Sequence, residues 1–150
     1  MPEFPDHNFY MKKAFSMAEF AFSQGEVPVG AVLVCDGKVI TKTHNQTELL
    51  HDATAHAEIM AITAGCAHFN SKYLKDCVLY VSLEPCPMCA AALYWTQIKE
   101  VIWGAKDDKR GYSLYQPNLL HPATNVVSGV MEVESSQLMK DFFKEKRGKV

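Results

Sequence analysis

The fold is decided by residues 78–96, which read VLYVSLEPCPMCAAALYWT. The short apolar run over 78–83 predicts a buried β-strand. A residue that precedes proline avoids the helical region, and proline is favoured at the first helical position, so Cys86 should be extended and a helix should begin at Pro87. A second apolar run over 101–105 predicts another strand. The three elements together predict a right-handed βαβ unit with parallel strands.

The segments on either side of this unit complete an α/β fold. The further predicted elements are an amphipathic helix over 8–24, strands over 27–35 and 38–43 joined by the Asp36-Gly37 turn, a helix over 55–69, a strand over 126–133 and a last helix capped by Ser135 or Ser136. This order predicts one domain, residues 1–150, folded as a three-layer α/β/α sandwich with a mixed five-stranded sheet.

The composition limits the class of protein. A hydrophobic content of 48% with 21% charged residues argues against disorder, and a net charge of −2 argues against a general nucleic-acid coat. This charge is compatible with a local basic patch, since five Lys and Arg residues lie among two Phe residues over 140–149. The simpler interpretation of these residues is a solvated face of a C-terminal helix. The first ten residues lack a basic segment followed by an apolar one, so we expect a cytoplasmic location and no membrane span.

Three residues have the chemistry of zinc ligands. Cys86 and Cys89 are three residues apart where a helix begins, so their thiols should point the same way. His56 lies near the beginning of the helix predicted over 55–69. Sites in α/β sheets lie beyond strand ends, where the following helices begin, so we expect a metal between the N-termini of these two helices. One imidazole and two thiolates bind zinc well.

Three protein ligands leave one position of a tetrahedral zinc ion open. Cys66 is ten residues from His56, or about 15 Å along a helix, and Cys77 lies about 20 Å away along its strand. Cys35 lies at the hairpin end of the first predicted strand, and the sequence does not fix its distance from His56. An open position would hold a water molecule, whose pKa zinc lowers to about 7, and Glu58 would take its proton. The alternative is a closed structural zinc site without catalysis.

The spacing of these motifs resembles a known family. His56-Ala57-Glu58 followed by Pro85-Cys86-Pro87-Met88-Cys89 resembles the signature of zinc-dependent nucleobase deaminases of the cytidine deaminase superfamily. The chain is most similar to the bacterial tRNA-specific adenosine deaminases, which convert the wobble adenosine of an anticodon to inosine. The similar stretches are 25–32, 54–62, 79–86 and Phe142-Phe143.

This resemblance implies a cytidine deaminase-like fold, a homodimer with one zinc ion per subunit, and a tRNA anticodon loop as the partner. It also implies roles for individual residues. Zinc would be bound by His56, Cys86 and Cys89, with Glu58 as the proton shuttle. The flipped nucleotide would meet the Asn45 side chain, the backbone N–H of Ala57, the pocket wall of Pro28 and Val29, and Asp107 near its ribose.

The sequence departs from the family pattern at three places. Ala53 stands where proline is common, Ala91 stands where glycine is usual, and 109–112 differs from the usual Lys-Thr-Gly stretch. The segment 87–95 is also similar to bacterial guanine deaminases. Deamination of a free base or nucleoside, such as guanine or cytosine, is therefore the alternative to tRNA. An open groove lined by 106, 109, 110 and 144–147 would favour RNA, and a C-terminal segment over the pocket would favour a free base.

Overall fold

The computed structural model describes residues 6–148. Its helices and strands are, in chain order, α1 (His7–Ser23), β1 (Gly30–Cys35), β2 (Lys38–His44), α2 (Ala57–Phe69), β3 (Cys77–Leu83), α3 (Pro87–Thr96), β4 (Glu100–Ala105), a 3₁₀ turn (Tyr112–Leu114), β5 (Asn125–Ser128) and α4 (Glu132–Arg147). No helix within these residues is long and apolar enough to cross a lipid bilayer.

The five strands form one mixed sheet in the order β2-β1-β3-β4-β5. Strand β1 is antiparallel to both β2 and β3, whereas β3, β4 and β5 run parallel. The hairpin turn has positive φ at Asp36 and Gly37, which the two-residue turn of a hairpin requires. The predicted mixed five-stranded sheet and the parallel pairing across α3 are confirmed.

Successive side chains of the central strands pack into two hydrophobic cores, one on each face of the sheet. In β1, Ala31 and Leu33 pack with residues of α2 and α3, whereas Val32 and Val34 pack with residues of α1. Since successive side chains of a strand point to opposite faces, each face of the sheet is covered by helices. The three-layer α/β/α sandwich is therefore confirmed.

Helix α1 lies very close to the start of β1. A Cβ atom at Gly30 would overlap the carbonyl oxygen of Ala14, so only glycine lets the two backbones approach this closely. Strand β1 begins at Gly30 and not at residue 27 as predicted. The reason is a tight turn before it, in which the N–H of Val29 donates to the carbonyl oxygen of Val27 at 2.8 Å.

The C-terminal elements differ from the prediction. Strand β5 ends at Ser128, because Gly129 takes a φ of +85° and turns the chain into α4. Helix α4 then begins at Glu132, so Ser135 and Ser136 lie in its first turns and do not cap it. In the same helix Phe142 is buried and its ring meets that of Phe22, whereas Phe143 is 39% exposed. Lys149, part of the predicted basic patch, lies outside the described residues.

Candidate metal centre and active site

The start of α3 positions two thiols. Cys86 is the extended N-cap residue, with φ −73° and ψ 169°, and Pro87 opens the helix as predicted. Cys89 lies in the first turn and is completely buried. Pro87 therefore keeps Cys86 extended and starts the helix whose first turn carries Cys89, which sets the direction of both thiols.

The imidazole comes from the start of α2. This helix begins at Ala57, two residues later than predicted, and His56 is its extended N-cap residue. Glu58 consequently lies in the first turn, although two residues of a continuous helix would point to different faces. The extended conformation of His56 brings its ring to the same end of the helix as the Glu58 carboxyl.

The three predicted ligands lie together. Their ligand atoms are all within 4.8 Å of one another. Nδ1 of His56 is 3.6 Å from Sγ of Cys86 and 3.5 Å from Sγ of Cys89. A tetrahedral zinc ion with Zn–S near 2.3 Å and Zn–N near 2.05 Å holds its nitrogen and sulfur ligands about 3.6 Å apart. The donor set and its spacing therefore fit zinc.

Within residues 6–148 this group contains three possible ligands and no fourth. Cys66 lies further along α2, outside the group. Cys35, whose position the sequence left open, is the partner of Cys77 in the β1–β3 ladder, at the far end of both strands. Burial raises the pKa of the Cys77 thiol to about 12. A metal at this centre would therefore keep an open coordination position.

The charges of the three ligands depend on one another. The hydrogen bond from the Cys89 thiol lowers the pKa of Cys86 to about 4. The hydrogen bond to Cys86 raises the pKa of His56. The Cys89 thiol has a raised pKa, first because it donates to Cys86 and then because it is buried. A thiolate at Cys86 is therefore favoured by its two neighbours, and a thiolate is the form in which cysteine binds a metal.

Glu58 lies beside the ligands without belonging to the group. Its side chain is 3% exposed, so it is almost completely shielded from solvent. Burial raises the pKa of the Glu58 carboxyl to about 7. A carboxyl group with such a pKa can both accept and donate a proton near neutral pH.

Four of the predicted substrate-binding residues meet where β1, β2 and α2 begin or end. The N–H of Asn45 donates to the carbonyl oxygen of Val29 at 3.0 Å, and its side-chain Nδ2 donates to that of Val27 at 3.3 Å. Pro28, which lies between Val27 and Val29 in the sequence, is buried. Oγ1 of Thr43 donates to the carbonyl oxygen of Ala57 at 2.7 Å, so β2 is tied to the first residue of α2. The N–H of Ala57 has no acceptor within the helix.

Asp107 belongs to a separate loop after β4. Its Oδ1 accepts from the N–H groups of Lys109 and Arg110, at 3.0 and 2.9 Å. The carboxylate therefore closes its own turn. Lys106, Lys109 and Arg110 are exposed around it, and so are the basic residues in the last turn of α4, Lys144, Lys146 and Arg147.

Sequence reasoning missed two buried carboxylates that organise the loops around the centre. Glu26 is 1% exposed and accepts from the N–H groups of Glu48 and Leu49, at 2.9 and 2.8 Å. Glu84 is 2% exposed and accepts from backbone N–H groups of the Asp107 loop. In the sequence, each of these residues lies next to an apolar residue and within two residues of a proline. An acidic residue is unusual in such an apolar segment, and this is the signal that could have identified them.

The chain is similar to known deaminases over almost its whole length. Residues 5–147 match the model of the MafB19-like deaminase family. A tRNA-specific adenosine deaminase of Aquifex aeolicus is 43% identical over 146 residues, which cover 95% of this chain and 97% of that one. A solved structure from work on A-to-I editing by tRNA:A34 deaminases has a TM-score of 0.81 and 42% identity, covering 87% of this chain and 98% of that chain.

A guanine deaminase is also similar over part of the chain. The structure of the Bacillus subtilis enzyme is 39% identical, with a TM-score of 0.65, and covers 68% of this chain and 66% of its own. The similarity to the adenosine deaminases is thus slightly higher and extends over much more of both chains.

Proposed function

The chain belongs to the MafB19-like deaminase family, and from this premise we propose that it hydrolytically deaminates adenosine to inosine at the wobble position of tRNA. The observation that carries the proposal is the group formed by His56, Cys86 and Cys89, with buried Glu58 beside it. Three ligands and one adjacent carboxyl group are what hydrolytic removal of a base amine requires. The substrate class follows from the adenosine deaminases that match nearly the whole chain.

The three ligands would hold one zinc ion per subunit, which supplies the Lewis acidity that activates a water molecule for attack on C6 of the base. Glu58 would take a proton from that water and give it to N1. It would then take the second proton, from the hydroxyl group now bonded to C6, and give it to the amine. The C6–N bond breaks, ammonia leaves and C6 becomes a carbonyl, so that adenosine and water give inosine and ammonia. Because Glu58 is buried, these transfers would take place away from bulk water.

Recognition of the base is assigned to the junction of β1, β2 and α2. Asn45 would hydrogen-bond the base with the remaining capacity of its amide. Its Nδ2 donates one hydrogen to Val27 and its Oδ1 accepts from the N–H of Thr47, two residues further on, which leaves a second hydrogen and a second lone pair for the base. The N–H of Ala57 would contact the edge of the base, with Pro28 and Val29 as the pocket wall. Asp107 would lie near the ribose. The base has to leave the stack of the anticodon loop before it can enter such a pocket.

Two exposed surfaces support the proposed partners. The basic side chains of 106–110 and of the last turn of α4 are exposed and suit RNA phosphates. Because the proposed substrate is a tRNA, we also propose a cytoplasmic location. On the α2–α3 layer, apolar side chains are exposed near one another, which supports a homodimer through this layer. They are Tyr73, Tyr94 and Trp95, which line one surface pocket, and Trp95 is 75% exposed.

The test is incubation with a tRNA transcript that carries adenosine at position 34, followed by digestion and nucleoside analysis. Inosine should accumulate at that position, and a transcript with guanosine there is the matched control. Parallel reactions with guanine, cytosine and cytidine test the alternative function, deamination of a free base or nucleoside. The partial similarity to guanine deaminase is the observation that favours this alternative. Rapid release of ammonia from guanine without inosine in tRNA would contradict the proposal.

A further inference from the structure

The Glu84 side chain joins the metal centre to the loop after β4. It follows β3 directly and precedes Pro85 and Cys86 in the sequence. Its Oε1 accepts from the N–H of Asp107 at 3.1 Å, and its Oε2 accepts from the N–H of Ser113 at 3.0 Å. One carboxylate therefore holds both ends of the segment 107–113, which we name the 107–113 turn.

The turn is built closely around this carboxylate. Gly111 has φ −65° and ψ 143°, a conformation open to any residue, so its backbone does not require glycine. The lack of space around it requires glycine, because a Cβ at this position would overlap Oε1 and Cδ of Glu84 and lie 2.6 Å from Oε2. The next residue, Tyr112, donates its N–H to the carbonyl oxygen of Pro85 at 2.9 Å. The turn is thus fixed to the backbone that carries Cys86.

This arrangement orders exposed groups before any substrate arrives. Within the 107–113 turn, the N–H of Gly111 donates to the carbonyl oxygen of Asp107 at 3.0 Å, which completes the closed loop. Lys109 and Arg110 project from it into solvent. A loop held in one conformation loses less entropy on binding than a free loop, so its order contributes to affinity.

We propose that Glu84 is a positioning residue for the substrate: it holds the 107–113 turn, with its two basic side chains, in the conformation that binds the nucleic acid. The proposal rests on the proposed function. Glu84 acts through the turn, so its loss should weaken substrate binding and leave the chemical step unchanged.

Kinetics on the tRNA transcript with adenosine at position 34 test this for wild type and Glu84→Gln. Glutamine keeps the shape but turns an NH₂ group toward one of the two backbone N–H donors, which leaves that donor unpaired. We expect KM to rise about tenfold with kcat and zinc content unchanged. The control is Glu19→Gln, which removes the same charge from the exposed face of α1 and should change neither constant.

Hydrogen exchange provides a readout independent of activity. In Glu84→Gln the amides of Asp107 and Ser113 should lose protection, whereas those of β3 should keep it. Lost protection with an unchanged KM would mean that the carboxylate only stabilises the turn, and a loss of zinc or of kcat would mean that it acts on the metal centre. Either result overturns the proposal. A wild-type chain that is inactive on tRNA removes the proposed function and this proposal together, whereas an active wild type matched by Glu84→Gln removes this proposal alone.

A second pair of variants covers the possibility that Glu84→Gln folds poorly. Gly111→Ala places a methyl group where the carboxylate lies and should raise KM in the same way. Glu84→Ala vacates that space, so the double variant should bind tRNA no more weakly than Glu84→Ala alone. Additive losses of affinity would contradict the coupling of these two residues.

Discussion

Nδ1 of His56 lies 3.5 Å from Sγ of Cys89, although 33 positions separate the two residues in the sequence. Zinc should depend on this contact. We expect the wild-type chain to bind about one zinc ion and Cys89→Ser to bind almost none, because a hydroxyl group is a far weaker ligand than a thiolate. Elemental analysis after dialysis measures the stoichiometry. Cys66→Ser is the matched control and should keep its zinc.

Glu58→Gln should separate metal binding from catalysis. The amide keeps the size of the carboxyl group but cannot carry the proton, so turnover should fall about 10²–10⁴-fold while the zinc content stays that of wild type. Single-turnover assays on the tRNA transcript give the rate, and elemental analysis gives the metal. Activity close to wild type in this variant would remove Glu58 from its proposed role.

The parts of this molecule that the sequence predicted well are those that local stereochemistry decides. Pro85 and Pro87 restrict the backbone on both sides of Cys86, so the start of α3 was predicted at the correct residue. At the C-terminal end the local signals were misleading. Ser135 is a residue type that favours helix N-caps, yet here it is buried against Gly104, and the helix begins earlier at a backbone turn through Gly129 and Met131.

The same contrast holds for the candidate site. The possible ligands could be found because their side-chain chemistry and spacing are visible in the sequence. The roles of Glu26 and Glu84 could not, because their partners are backbone N–H groups of distant loops. Every residue except proline has such a group, so the sequence carries no record of which one is used.

Asn45→Ala tests recognition of the base. The variant removes the amide proposed to bind the substrate and one of the two donors to the carbonyl oxygen of Val27, so kcat/KM should fall about 10–100-fold with zinc retained. The matched control is Asn118→Ala. Asn118 also accepts from a backbone N–H two residues further on, but it lies in an exposed turn. An equal loss in both variants would point to a general effect on folding.

Glu26→Gln should reduce stability. One of the two N–H groups of Glu48 and Leu49 would face an NH₂ group in a buried site, which costs about 1–3 kcal/mol of unfolding free energy. Urea denaturation measures the change. Glu19→Gln makes the same chemical substitution at an exposed position and should unfold at the urea concentration of wild type; equal midpoints for all three proteins would contradict the prediction.

Trp95→Glu tests the proposed homodimer. Trp95 is 75% exposed on the α2–α3 layer, and burying a carboxylate there in a dimer without a partner charge would be strongly unfavourable. Sedimentation velocity should therefore show a dimer for wild type and a monomer for the variant. Val133→Glu is the matched control, because Val133 is 77% exposed but lies on α4, in the opposite layer. Dissociation by Val133→Glu and not by Trp95→Glu would place the interface on the other face of the sheet.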